Sequence, residues 1–431
     1  MKAAARFATR PSVGSVAASV LVQGALVISG PLTARLLGLT GRGDLAILVI
    51  AASIGSFCGA LGMPTAVAYT VSREGLDASV VLRLIAPAWA ALCLAAGTVT
   101  ALVVVALIPA APGSPAWVSP VLVGVCVVTA MNWQLVLASV QGEHRFRLLN
   151  ALRPLSVLLS TAGITGLWLT VRHTTVAPTY AVTVAAGVVS NIAGWWLLSR
   201  GSGRGGTAPK ATRWSVIRFG LASVAGANAP LEALSLDQAV VGIVLPRMQL
   251  GLYAVASSFD NAPAILLSGL GTIALPRVAG APDRAARAAA MRRMTILAVA
   301  LAGATAVGTE IVVGPLLPFA FGGSFAGAIP AARILIVAGF FLALRRILVV
   351  FLQGVGAPGH TGVGEVIALV VLVVAALILV PALGLAGASL ALLAAALSAS
   401  AYVLWRLTRA VATAPKDPEP RGADLAGSSF S

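Results

Sequence analysis

Long apolar segments alternate with short polar connections along most of this 431-residue chain. Each apolar segment has about 20 residues, which is the length an α-helix needs to cross roughly 30 Å of hydrocarbon. The pattern predicts about twelve membrane-spanning helices. Their predicted bounds are 12–33, 45–70, 82–108, 118–139, 149–170, 179–198, 219–244, 252–275, 294–319, 329–352, 362–382 and 386–407.

One connection is longer and differs in composition. Residues 199–218 are rich in glycine and basic side chains and lie near the middle of the sequence, which is typical of a linker. The predicted domains are therefore an N-terminal lobe over 1–198, a basic cytoplasmic linker over 199–218, a C-terminal lobe over 219–411 and a disordered cytoplasmic tail over 412–431. The expected fold is an all-α polytopic membrane protein, with two lobes of about six helices each around a central cavity.

Composition supports a membrane protein over a soluble one. Hydrophobic residues make up 59% of the chain and charged residues 10%, whereas about a quarter of a soluble domain is charged. The formal net charge of +16 does not indicate nucleic-acid binding, because most arginines lie in short connections between apolar segments. Most Lys and Arg residues fall on the side of the N-terminus, which predicts that both termini are cytoplasmic.

The sequence carries no signature of covalent chemistry. It has no Walker A loop for nucleotide hydrolysis, and its three histidines are scattered without metal-ligand spacing. The three cysteines lie inside apolar segments without CxxC spacing, which is typical of small core residues. We therefore expect a protein that is not an enzyme and has no cofactor or metal.

Two segments about 200 residues apart resemble each other. ARLLGLTGRGDLAILVIAAS follows the first predicted span, and VGIVLPRMQLGLYAVASSFD follows the seventh. Both pass from apolar residues through an arginine to a glycine at the start of the next helix, namely Gly43 and Gly251. Such a repeat predicts two halves in the same orientation, related by an axis along the membrane normal. This is a known transporter plan, in which the substrate binds between the halves.

A series of short motifs extends this similarity along most of the chain. They are Arg35-Leu-Leu-Gly38 with Gly43, Gly62-Met-Pro64 before Arg73, Ser235-Leu-Asp237, Gly251-Leu-Tyr253-Ala254, Leu275-Pro276-Arg277, Phe321-Gly-Gly-Ser-Phe325, Leu352-Gln-Gly-Val-Gly356 and Gly384-Leu-Ala-Gly387-Ala388. In this order the chain resembles the oligosaccharide flippase family of the multidrug/oligosaccharidyl-lipid/polysaccharide exporter superfamily. The resemblance implies a V-shaped cavity and transfer of an undecaprenyl-pyrophosphate-linked oligosaccharide to the outer leaflet of the bacterial cytoplasmic membrane. It also implies membrane lipids and polysaccharide-assembly proteins as partners.

Acidic residues inside predicted spans are candidates for ion coupling, because a charge in hydrocarbon costs roughly 2.5–3.5 kcal/mol on insertion scales. Glu232 and Asp237 lie in the seventh span and Asp260 lies in the eighth. We predict that they couple transport to a gradient of H⁺ or Na⁺. A structural alternative stays open for two of them: Asp237 pairs with a loop arginine such as Arg247 near the outer interface, and Asp260 forms a hydrogen bond or ion pair within the C-terminal lobe.

Helical spacing also suggests a substrate-contacting face in the seventh span. Asn228, Glu232 and Ser235 follow each other at i+4 and i+3, so in a continuous helix they share one face. We predict that Asn228 and Glu232 contact the sugar.

Arginines near the membrane are candidates for binding pyrophosphate, because the guanidinium stays protonated and forms bidentate bonds. Arg345 and Arg346 interrupt the tenth span, and adjacent helical side chains point about 100° apart, so only one faces the cavity. Snorkelling to the headgroups is the alternative for this pair. Arg35 and Arg42 lie on the sparsely charged outer side and are weaker candidates, with helix capping as the alternative for Arg35.

The predicted function is an alternating-access flippase. Two alternatives remain open at the level of sequence. One is a drug/cation antiporter of the same superfamily, which needs an acid in a cavity that faces cationic substrates. The first span has Gln23 but no acid, which argues against it. The other is a non-transporting membrane partner of a polymer-synthesis complex.

Overall fold

The structure is a computed structural model that describes residues 2–107, 115–171, 173–200, 212–224, 234–280, 283–355 and 360–413. Within these ranges the chain is almost entirely helical and contains no strand. Eight of its helical segments are long and apolar enough to cross a membrane. The predicted all-α, multi-pass fold class is confirmed.

The N-terminal half consists of seven helices in the described residues. The helices are α1 Lys2–Ala60, α2 Met63–Glu74, α3 Ala78–Leu107, α4 Val118–Gly142, α5 Phe146–Leu152, α6 Leu155–Thr170 and α7 Val176–Ser199. Buried side chains of α1 to α7, including Met131 and Tyr180, form one continuous hydrophobic core. This core defines the first lobe.

The C-terminal half has a second set of helices with cores of its own. The helices are α8 Arg213–Val224, α9 Leu236–Val244, α10 Arg247–Ala256, α11 Ala262–Ala279, α12 Arg284–Phe321, α13 Ile329–Gly354 and α14 His360–Thr413, with 3-10 turns at Ser257–Phe259 and Gly323–Ala328. Tyr253 and Phe325 belong to one buried cluster and Phe351 to a second. The two-lobe architecture predicted from the sequence is confirmed.

Two long helices each contain a pair of predicted spans. Gly38 in α1 has φ 68° and Gly384 in α14 has φ 56°, a backbone conformation that glycine adopts at low cost. In α14 a Cβ on Gly387 would lie 2.1 Å from the Leu379 carbonyl oxygen. In a straight helix these two residues would be separated by a rise of about 12 Å. The chain therefore reverses at Gly384, so α14 is a hairpin of two antiparallel helices.

Two other spans that were predicted as continuous are broken. In the second, Leu61 and Gly62 have positive φ, and α2 starts again immediately after them. In the eighth, the 3-10 turn Ser257–Phe259 separates α10 from α11. The predicted bounds 45–70 and 252–275 are wrong in this respect, because apolarity reports burial in the membrane and not the continuity of backbone hydrogen bonds.

The seventh span is described in two pieces, and its first piece packs on the N-terminal lobe. α8 lies against α2, where the Tyr69 and Phe219 rings stack with centroids 4.3 Å apart. Val216 belongs to the core of the N-terminal lobe. The domain bounds 1–198, 199–218, 219–411 and 412–431 stay a prediction, since most of the linker and the tail lie outside the described residues.

Candidate functional site

The two lobes cross at the two glycines that the sequence repeat equates. A Cβ on Gly43 would lie 1.9 Å from the Arg247 carbonyl oxygen, and a Cβ on Gly251 would lie 2.1 Å from the Leu39 carbonyl oxygen. Each glycine therefore approaches the residue four positions before the other. This reciprocal geometry is the signature of an approximate two-fold axis that passes between the two glycines.

Two charged contacts fix the same end of the molecule, which is the predicted outer side. Arg247 in α10 forms an ion pair with Asp44 in α1, with NH1 and Oδ1 2.7 Å apart. Arg35 in α1 donates from Nε to the Ala320 carbonyl at 2.8 Å and also donates to the Phe319 carbonyl. These carbonyls end α12, so Arg35 caps a helix of the other lobe.

These contacts bear on two predicted roles. The capping alternative for Arg35 has a concrete partner, although its predicted role in substrate binding stays a prediction. The structural alternative for Asp237 was a pair with a loop arginine such as Arg247, and the structure pairs Arg247 with Asp44.

A polar cavity lies within the C-terminal lobe and brings three predicted site residues together. Asp237, Asp260 and Arg346 line it, together with serine and amide side chains. Asp237 is in the first turn of α9 and is buried, with 8% of its surface exposed. Asp260 follows the 3-10 turn, and Arg346 extends from α13. The break in the eighth span is what places Asp260 at the cavity.

Hydrogen bonds hold the cavity wall together. Gln238 donates from Nε2 to the Ser257 hydroxyl at 3.0 Å, and Arg346 donates from NH2 to Asn261 Oδ1 at 3.3 Å. Tyr253 is fully buried near Asp237 and Asp260, and its hydroxyl has no hydrogen-bond partner among the described residues. Sequence reasoning did not propose Tyr253 as a site residue, although it was part of the motif Gly251-Leu-Tyr253 that marks the repeat.

Arg345 and Arg346 have different surroundings. Arg345 is 2% exposed and forms an ion pair with Glu365 of α14 inside the lobe. Arg346, one residue later, is exposed and lines the polar cavity. The angle of about 100° between adjacent helical residues produces this division. Arg345 can bind substrate only if its ion pair with Glu365 breaks. Its role in substrate binding stays a prediction.

The remaining predicted site residues are Arg42, Asn228 and Glu232. The Nε of Arg42 is buried and has no hydrogen-bond partner among the described residues. Asn228 and Glu232 lie outside the described residues. Their predicted shared face cannot extend to Ser235, because Ser235 is left-handed with φ 48° and α9 begins only after it.

The cavity is small and is lined by charged, hydroxyl and amide side chains. Its volume is about 100 Å³. Carboxylate, hydroxyl and amide oxygens are the ligands that hard cations prefer. Within the described ranges, no group of three or more His, Cys, Asp or Glu side chains is arranged to hold a metal ion.

Comparisons with known proteins identify the fold. No family model and no curated protein matches the sequence. An inward-facing multidrug resistance MATE family transporter of the MOP superfamily superposes with a TM-score of 0.65 at 15% identity, over 93% of this chain and 96% of that chain. An outward-facing structure with the same description gives 0.57 at 14% identity, over 94% and 95%.

A third structure adds a different description. It is a MOP superfamily transporter from Pyrococcus furiosus whose binding pocket is described as having reverse polarity, which suggests a different function. It gives a TM-score of 0.63 at 16% identity, over 94% of this chain and 96% of that chain. At these identities the similarity establishes the two-lobe fold alone.

Proposed function

We propose that this protein is an alternating-access transporter that moves an undecaprenyl-pyrophosphate-linked oligosaccharide to the outer leaflet of the bacterial cytoplasmic membrane. It has no enzymatic step, and a gradient of H⁺ or Na⁺ drives it. The shared fold supports this proposal, because similar chains adopt both inward-facing and outward-facing conformations. The sequence resemblance to oligosaccharide flippases suggests the substrate.

The observation that carries the proposal is that Arg346 lines the same small cavity as Asp237 and Asp260. Without a bound cation, the two carboxylates attract the guanidinium. A cation bound at the carboxylates removes this attraction, and Arg346 becomes available to a pyrophosphate group. Binding of the cation and of the anionic headgroup are thereby coupled through one side chain.

The closure of the predicted outer side supports an inward-facing state. The glycine crossing, the Arg247–Asp44 pair and the Arg35 cap all join the lobes at that side. The TM-score is also higher for the inward-facing neighbour than for the outward-facing one. In the proposed cycle these contacts break when the cavity opens outward and form again when the protein resets.

A specific observation favours a second candidate, the drug/cation antiporter. Such a protein needs acids in a cavity, and Asp237 and Asp260 provide two against the single guanidinium of Arg346. The chain nevertheless has no acid in its first span. The third candidate, a membrane partner of a polymer-synthesis complex, requires neither cation nor substrate in this cavity.

Transport assays in proteoliposomes separate these candidates. The purified full-length protein is reconstituted and tested for translocation of an undecaprenyl-pyrophosphate-linked oligosaccharide, and in parallel for uptake of a cationic dye. We expect translocation by the wild type and its loss in Arg346→Gln. Arg333→Gln is the matched control, because Arg333 lies on the same helix in an exposed pair with Glu310.

Each result decides between the candidates. Dye uptake without oligosaccharide translocation would establish the antiporter, and absence of both in a correctly folded sample would support the assembly partner. Full translocation by Arg346→Gln would contradict the proposed role of Arg346.

A further inference from the structure

A groove on the N-terminal lobe lies away from the polar cavity and has a different character. It runs between α3, α4 and α7, and its volume is about 580 Å³. Arg83, Trp89, Cys93, Asn132 and Trp195 line it. We call it the α3 groove. Its lining is predominantly apolar, with one arginine at the end nearest the start of α3.

The polar side-chain atoms of Trp89 and Asn132 have partners within the groove wall. Trp89 donates from Nε1 to Asn132 Oδ1 at 3.2 Å, and Asn132 donates from Nδ2 to the Val128 carbonyl at 2.9 Å. The floor of the groove therefore presents hydrocarbon to whatever occupies it. An aliphatic chain loses no hydrogen bond by lying there, whereas a polar ligand would leave its own groups without partners.

One basic side chain lies at the mouth of the groove. Among the described residues, Arg83 is the only charged residue of its lining, and it lies in the second turn of α3. Its guanidinium complements a phosphate group.

Neighbouring aromatic residues place this mouth at the membrane surface. Trp195 lines the groove, and Arg200 stacks over the ring of the next residue, Trp196, at 3.6 Å. Tryptophan and arginine concentrate at the headgroup level of membranes. By the charge distribution of the chain, this is the cytoplasmic surface.

The length of the groove matches a single leaflet. Arg83, Ala86, Ala90 and Cys93 follow helical spacing along one face of α3. Ten residues of helix rise about 15 Å, and one leaflet contributes half of roughly 30 Å of hydrocarbon. A groove with a basic mouth at the headgroups and an apolar floor of this length matches the dimensions of a phospholipid.

We propose that the α3 groove binds one anionic phospholipid of the cytoplasmic leaflet. Its phosphate lies at Arg83, and an acyl chain lies along Trp89 and Cys93. The site belongs to the N-terminal lobe alone, so the lipid stays bound while the lobes move. This inference does not depend on which substrate the protein transports.

Native mass spectrometry of the purified full-length protein tests the site. The protein in detergent is titrated with phosphatidylglycerol and, separately, with phosphatidylcholine. We expect one tightly bound phosphatidylglycerol per chain. Arg83→Gln should weaken it about fivefold, which corresponds to ~1 kcal/mol for one basic side chain at an anionic surface.

A pair of adjacent alanines provides a matched control. Ala90 and Ala91 are both exposed on α3, but only Ala90 lines the groove. Ala90→Trp should fill the groove and abolish the tight site, whereas Ala91→Trp should leave it intact. Thermal unfolding confirms that each variant is folded. If Ala90→Trp does not fold, the affinity of Arg83→Gln for phosphatidylglycerol still tests the site.

Several outcomes would overturn the proposal. Equal affinity for the two phospholipids would show that Arg83 does not recognise the phospholipid charge. An equal loss of phosphatidylglycerol binding in Ala90→Trp and Ala91→Trp would show that the lipid does not bind in the groove. Preferential binding of a polyprenyl phosphate would assign the groove to the substrate tail. A groove-dependent dimer would assign it to a second copy of the chain.

Discussion

Arg247 and Asp44 form an ion pair 2.7 Å long between α10 and α1, one helix from each lobe. The pair lies beside the crossing of Gly43 and Gly251, because each of its residues is adjacent to or contacts one of these glycines. The side chains are 30% and 10% exposed. The pair therefore holds the predicted outer side closed without being fully removed from solvent.

Asp44→Asn should favour opening of that side. The amide keeps the shape of the carboxylate but loses its charge, which removes on the order of 1 kcal/mol from the closed state. One spin label is placed in α1 near Gly38 and the other at the start of α10. The distance between them, measured by pulsed electron paramagnetic resonance, should shift to longer values. The control is Glu310→Gln, which breaks the Arg333 pair inside one lobe and should leave the distances unchanged.

Gly251→Ala should destabilise the protein at the crossing. The added methyl would lie 2.1 Å from the Leu39 carbonyl oxygen, so the helices must separate at a cost of about 1–3 kcal/mol. Thermal unfolding in detergent measures the loss. Gly308→Ala is the control, because that glycine lies in α12 with nothing within 4 Å. It should be neutral or stabilise by up to about 1 kcal/mol. Equal melting temperatures for both variants would contradict the close crossing.

Asp237→Asn should abolish the dependence of transport on the ion gradient. Asp237 is buried and lines the cavity together with Asp260, and in the proposed mechanism its neutralisation removes cation binding. Transport rates in proteoliposomes are compared with and without imposed Na⁺ and H⁺ gradients. Glu310→Gln, at an acid outside the cavity, should retain the wild-type dependence. A gradient dependence that survives Asp237→Asn would move the coupling site elsewhere.

Glu365→Leu should be strongly destabilising, because it leaves the guanidinium of Arg345 buried without its carboxylate. Breaking a buried pair costs about 3–5 kcal/mol, whereas replacing both partners with apolar residues is often close to neutral. The double variant Arg345→Met/Glu365→Leu should therefore recover most of the stability, as measured by denaturant or thermal unfolding.

The same double variant also tests what Arg345 does. If the ion pair only joins α13 to α14, a folded double variant transports at near the wild-type rate. Lost transport in a stable double variant would instead support the predicted contact between Arg345 and substrate.

The sequence predicted the fold class because membrane solvation imposes a simple rule: apolar segments of about 20 residues must be helical. It also equated Gly43 with Gly251, and the structure brings these two glycines into contact. The break at Ser257–Phe259 was missed although polar residues surround it, and the break at Leu61–Gly62 falls at a Gly-Met-Pro step inside the span predicted over 45–70. Backbone geometry there depends on packing that composition does not encode.

The sequence predicted which residues are candidates for the site, but not which residues they contact. Asp237, Asp260 and Arg346 were identified because charge in hydrocarbon is costly, and they share one cavity. Helical geometry predicted that Arg345 and Arg346 would point apart, but not that Glu365 would bind Arg345. Arg35 contacts the end of α12, more than half the chain away, and helical spacing carries no information at that range.

The crossing of Gly43 and Gly251 makes two distant positions of the sequence depend on each other. Because each glycine fits against the backbone of the other segment, a larger residue accepted in one half must be matched by a shift in the other. Elsewhere the two halves lack such a direct backbone constraint, and their sequences differ. A substitution at one of these two glycines requires a compensating change at the other. Homologues are therefore expected to vary at positions 43 and 251 together or not at all.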